Sequence, residues 1–132
     1  MEAVAKLKNI GMSARKMRQV AANIRGKNVD DALNILRFTK KEGGVWLEKV
    51  LLSSIANWEN KNGMIYNADD YDLYIKTVLV DEAGILKRFR PAPHGRAHRI
   101  RKRSNHVTLV VENKKPTEKD GQVSATVSDE EE

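Results

Sequence analysis

Between Ile85 and His106 the chain carries eight cations (Lys87, Arg88, Arg90, Arg96, Arg99, Arg101, Lys102 and Arg103) and not one acid. All three histidines, His94, His98 and His106, fall in the same window. Ile85–Pro91 and Ala97–Lys102 read as two strands around a tip, with Gly95 able to take the positive φ of a tight turn. Ile85, Leu86, Phe89 and Ile100 are their only large apolar residues, so the pair has no continuous apolar face to bury against its own domain. An isolated hairpin is marginal in water. This one is therefore expected to project from the body, about 30 Å for an arm of about nine residues, and to become rigid only in a partner's grip. The following HVTLVV is different. His106, Thr108 and Val110 alternate with Val107, Leu109 and Val111, the period of a strand with one buried face.

Like charges at this density repel one another unless a polyanion neutralises them. The net charge of +6 understates the effect. From Glu112 to Glu132 three lysines face seven acids, which leaves +10 on residues 1–111. Arg outnumbers Lys six to two in the window, and Arg offers a planar fork for phosphate that can also stack on bases. Phe89, His94 and His98 add flat surfaces for unpaired bases. Pro91, Pro93 and Gly95 set a narrow, stiff tip with few backbone donors. This pattern suits a probe inserted into folded RNA better than a face that slides along a duplex.

The rest of the chain reads as a small α+β body. Met17, Val20, Ala21 and Ile24 give a helix over 13–25, with Ser13 as cap, Gly26 as left-handed stop and an outer face of Arg15, Lys16, Arg18 and Arg25. A short helix fits 29–37, capped by Asn28, with Asp30 and Asp31 in its first turn and Ala32, Leu33 and Leu36 on its apolar side. A longer helix spans about 40–60, where Thr39 and Glu42 have capping-box spacing and Leu47, Val50, Leu51, Ser54, Ile55 and Trp58 form one stripe. Gly43 and Gly44 in its first turn imply a close backbone approach, since each weakens a helix by about 1 kcal/mol relative to Ala. Leu73–Asp81 alternates as a strand. Residues 1–112 then form a single domain that includes the extended hairpin 85–103, and the polar, acidic stretch 113–132 is expected to be a disordered tail.

The competing chemistries are weak. There is no cysteine, which excludes disulfides and thiolate metal sites and fits a reducing cytosol. His94 and His98 lie four apart in a hairpin, not on one helical face, among arginines that repel a cation, so no metal or other cofactor is expected. Asp69, Asp70 and Asp72 lack the glycine and distal glutamate of a calcium loop and read as turn residues. No nucleophile–base pair, phosphate loop or acid/base dyad supports an enzyme or a small-molecule substrate. The charge lies in extended arms, not on an amphipathic helix, which argues against a membrane surface. A free-standing nucleic-acid regulator would explain the charge, but no recognition helix is identifiable. Trp58 belongs to the core. Trp46 lies at the edge of the stripe, where core and RNA contact are both open.

The segments AKLKNIGMSARKMRQVAANIRGKNVDDALNIL, SSIANWENKNG, IKTVLVDEAG and KRFRPAPHGRAHRIRKRSNHVTLVV, in that order over about residues 3–111, closely resemble the bacterial-type ribosomal protein family numbered twenty-two of the large subunit. The resemblance implies three helices packed on a small antiparallel sheet, with a long hairpin threaded through large-subunit rRNA and its tip lining the polypeptide exit tunnel. Carried over by residue, Lys87, Arg88, Arg90, Arg96, Arg99, Arg101, Lys102 and Arg103 would face rRNA. Arg15, Lys16, Arg18, Arg25 and His106 would join them, and Pro91, Ala92, Pro93, His94 and Gly95 would approach the nascent polypeptide. The implied partners are large-subunit rRNA, neighbouring ribosomal proteins and the nascent chain, in the cytoplasm. The tip departs from the family's pattern: Ala92 and His94 stand where basic residues are familiar.

Overall fold

The computed structural model describes residues 1–115. It is an α+β fold in which three helices cover one face of a three-stranded antiparallel sheet of order β1-β5-β2. The strands are β1 (Glu2–Ile10), β2 (Leu73–Glu82) and β5 (Asn105–Asn113). The helices are α1 (Ala14–Ile24), α2 (Val29–Phe38) and α3 (Glu42–Lys61). Strand alternation puts Ala3, Ala5, Ile75, Val78, Val80, Val107, Leu109 and Val111 on the covered face. They pack against Met17, Val20 and Ile24 of α1, Ala32 and Leu36 of α2, and Leu47, Leu51 and Trp58 of α3. Trp58 is fully buried, its ring 5.8 Å from that of Tyr71, whereas Trp46 is half-buried with the Lys49 ammonium 5.2 Å from its ring centre.

Local chemistry explains the helix ends, not always as the sequence suggests. The Ser13 hydroxyl accepts from the Lys16 N–H at 3.4 Å, and Gly26 takes φ +77°. Asn28 occupies the cap position of α2, but its side chain does not cap; its Oδ1 accepts from Lys114 Nζ at 2.7 Å. The expected Thr39–Glu42 capping box is likewise absent. The cap residue of α3 is Lys41, and the Thr39 hydroxyl donates to Ile35 O at 2.6 Å, closing α2. The two glycines do serve close approach. A Cβ on Gly43 would lie 3.2 Å from Val20 Cγ2, and one on Gly44 would lie 3.2 Å from Leu36 O.

β1 is an element the sequence reading did not assign. It pairs with β5 from Glu2↔Glu112 to Ile10↔Asn105, with a bulge between Leu7 and Ile10 where Asn9 takes φ +57°. As β1 and β2 are edge strands, each exposes a row of carbonyls. Asn57 Nδ2 and Lys61 Nζ of α3 donate to Val4 O at 3.0 Å and Glu2 O at 2.7 Å. On the other edge, Arg18 of α1 and Arg25, the residue that caps its C-terminus, donate to Val80 O (3.0 Å) and Val78 O (2.8 Å). Helix side chains therefore cover both edges of the sheet.

β5 runs through Asn113, and the Lys114 and Lys115 N–H groups donate to Asp72 O and Tyr71 O at 3.2 and 3.3 Å. The first three residues assigned to the tail therefore belong to the folded body; the expected disorder beyond them lies outside the described residues.

Candidate nucleic-acid interface

The hairpin leaves the sheet between β2 and β5 as β3 (Leu86–Pro91) and β4 (Ala97–Lys102). Its arms are six residues each, so they reach about 20 Å, less than the nine-residue estimate. Its root is tied to the body. Ala83 N–H donates to Ser104 O at 3.0 Å, the Ser104 hydroxyl to Gly84 O at 2.6 Å, and Asn105 Nδ2 to Met12 O at 2.7 Å. Beyond the root, every residue of both arms is exposed except half-buried Ile100.

Residues opposite one another in a hairpin share a face, and the face alternates along each strand. One face carries Leu86, Arg88 and Arg90 opposite Lys102, Ile100 and His98. The other carries Lys87, Phe89 and Pro91 opposite Arg101, Arg99 and Ala97. Each therefore presents three full cations. The first adds Leu86, 59% exposed, and the second adds Phe89, 70% exposed. At the tip Ala92 N–H donates to Arg96 O at 2.8 Å, and the chain turns through two left-handed residues, His94 (φ +62°) and the expected Gly95 (φ +71°). Histidine tolerates that region better than bulky or β-branched residues do.

The body cations divide by role. Arg15 and Lys16 point outward from the first turn of α1, next to the hairpin root. Arg18 and Arg25 remain exposed but already hold the β2 edge. His106 is half-buried, and its Nδ1 accepts from the Asn9 N–H at 3.0 Å. Lys6 and Lys8 are exposed basic residues that went unmarked because β1 was not recognised. Lys6 lies on the uncovered sheet face opposite Thr108.

The end of the sheet far from the hairpin pairs its charges. Glu2, Glu112 and Tyr74 stand abreast in register; Lys76 bonds Glu2 and lies 3.8 Å from Glu112, and the Tyr74 hydroxyl donates to Glu112 at 2.8 Å. The Lys76 hydrogen bond holds the Glu2 carboxyl below its ordinary range, and the same bond raises Lys76. Hydrogen bonding to Glu112 raises the Tyr74 phenol. The carboxylates at this end are thus met by lysines, Lys76 and also Lys61, whose Nζ lies on Glu2 O, whereas the hairpin cations have no acid among them.

The family model for ribosomal protein L22p/L17e matches residues 5–112. The chain belongs to that family. Its relatives include the large ribosomal subunit protein uL22 of Flavobacterium psychrophilum, 60% identical over 109 residues, which are 83% of this chain and 79% of that protein. The protein of the same name from Bacteroides fragilis is 52% identical over 114 residues, 86% of this chain and 82% of the relative. As an L22p/L17e member the chain is a ribosomal protein and not an enzyme. The matched span takes in the three helices, almost all of the sheet and the whole hairpin.

Proposed function

We infer that this chain is a structural constituent of the large ribosomal subunit in the cytoplasm. In this reading it binds large-subunit rRNA through the hairpin and the adjoining end of α1, and assists assembly by fixing RNA segments on both sides of the arms. Neighbouring ribosomal proteins meet the body, and the tip Pro91–Gly95 lines the path of the nascent polypeptide. One observation carries the reading: the hairpin is cationic on both faces and its arms leave the core behind. A structure that is cationic on both faces and exposed along both arms is matched by a polyanion that surrounds it.

The tip has a different task from the arms. Between Pro91 and Gly95 there is no lysine or arginine, so its contribution is shape, set by two prolines and the left-handed pair at 94–95. The test has two parts. The full chain should sediment with large subunits through a moderate salt wash. Particles carrying a chain that lacks Ala92–His94 should assemble, but show a wider tunnel in a density map and altered arrest by a stalling peptide. Loss from the particles at moderate salt would refute the rRNA assignment. Unaltered tunnel shape and unaltered stalling would refute the tip assignment alone.

A further inference from the structure

We propose that the groove between the hairpin root and α1 receives one unpaired nucleotide of RNA, base inward and phosphate outward. The inference rests on the RNA-binding reading above and names what one part of that interface recognises. The groove forms where three distant segments meet: the loop after β1, the first turn of α1, and the two strands at the hairpin root. It holds about 860 Å³, within the range of small-ligand sites, about 300–1,000 Å³.

Its lining has two parts. Met12, Ile85 and Leu86 supply the apolar part, and Lys16, Arg101, Lys102 and Arg103 supply the charge, with no acid among the lining residues. Ile85 and Leu86 are 43% and 59% exposed. They are large aliphatic side chains left in water at the base of the most charged element of the molecule, and the core does not use them. Cations alone would suffice to hold the phosphates of a paired helix. Exposed aliphatic surface beside them suits a ligand that is flat and weakly hydrated on one part and anionic on another, as an extruded nucleotide is. Paired bases in an RNA helix cannot offer that face, because they are stacked and its deep groove is closed to side chains. The first turn of α1 contains no acid, so its positive dipole end adds to the same potential.

The test uses the full chain and two RNA stems that are identical except for one unpaired uridine in the middle of the second. Binding is measured by fluorescence anisotropy at matched salt. The bulged stem should bind about tenfold more tightly, the scale of removing about 55 Å² of aliphatic surface from water. Replacing Ile85→Ser together with Leu86→Ser should bring the two affinities within about twofold, leaving the paired-stem affinity and its salt slope unchanged. Both side chains are exposed, and circular dichroism of the variant should match the parent. Replacing Arg101→Gln with Lys102→Gln should instead weaken both stems and flatten the slope. Equal affinity of the parent chain for the two stems, or an undiminished preference in the serine variant, overturns the nucleotide groove and leaves the RNA-binding reading standing. Failure to bind either stem overturns both.

Discussion

If RNA surrounds the hairpin, stripping either face should be equally costly. The two faces allow this to be posed cleanly, since Arg88, Arg90 and Lys102 lie on one and Lys87, Arg99 and Arg101 on the other. Replacing each trio with glutamine removes three charges and keeps the side chains long and polar. All eight hairpin cations are exposed. If each meets a phosphate, log K against log salt should have a slope of about −5.6 for single-stranded contacts to about −7.2 for duplex contacts. Between 50 and 200 mM salt that is a loss of about 2,000- to 20,000-fold in affinity. With five contacts left, the slope should fall to about −3.5 to −4.5, and the loss over the same range to about 100- to 500-fold. The assay is a salt titration of the full chain on large-subunit rRNA, with sedimentation of assembled particles alongside. Both trios should flatten the slope by about 2–3. If one variant keeps the parent slope while the other loses about twice the expected amount, the hairpin lies on RNA with a single face and the threading argument fails.

Three further outcomes follow from the body. Gly44→Ala should lower the melting temperature, because its Cβ would press on Leu36 O and on Thr39, which is itself bonded to Ile35 O, a strain of about 1–3 kcal/mol that exceeds the gain in helix propensity of about 1 kcal/mol; Gly43→Ala meets only the side chains of Met17 and Val20 and should stay within about 1 kcal/mol of the parent, so equal effects in thermal unfolding would refute the contrast. Truncation after Glu112 removes the Asn113 pairing and the Lys114 and Lys115 hydrogen bonds and should lower the melting temperature by about 5–10 °C, whereas truncation after Lys115 should leave it unchanged; the opposite order would show the body ending elsewhere. Lys76→Ala should let the Glu2 carboxyl rise towards its ordinary range, read by NMR titration. Because the folded value is depressed, the stabilisation linked to Glu2 is present above the ordinary carboxylate range and lost as pH falls through the lowered value, and the variant should lack that acid-side dependence; an unmoved Glu2 would refute the pairing.

The parts legible in the sequence are those in which pattern and chemistry coincide. Ser13, the 3.6-residue stripe and Gly26 together mark α1, and the period-two runs mark β2 and β5. The hairpin was legible because its arms combine strand-like spacing with charge that no core could accept. β1 was not legible, because its buried positions include Ala3 and Ala5, which lack the branched side chains that signal a strand; it is a strand because β5 offers it an edge. Arg18 and Arg25 looked like any outward cations of α1 until β2 supplied the carbonyls they hold. Thr39 and Glu42 had capping-box spacing but not the backbone geometry, since Thr39 still finishes the preceding helix. The groove at the hairpin root draws on three segments separated by up to about ninety positions, and no local pattern encodes that meeting.

The chain answers one physical problem, the unpaired strand edge, in two different ways. In the body, edge carbonyls are covered: Asn57 and Lys61 sit on β1, and Arg18 and Arg25 sit on β2. Among the described residues, β3 and β4 of the hairpin pair only with each other, so each leaves one edge without a strand partner. What protects those edges is charge. Two copies of the hairpin cannot zip together edge to edge while three cations line each face of each copy, because that pairing would bring like charges to about 5 Å. A polyanion removes this barrier and at the same moment takes the space another strand would need. The same eight side chains that attract RNA therefore keep the unbound protein from pairing with itself, and a substitution that neutralises them without RNA present exposes two unprotected edges as well as weakening a binding site.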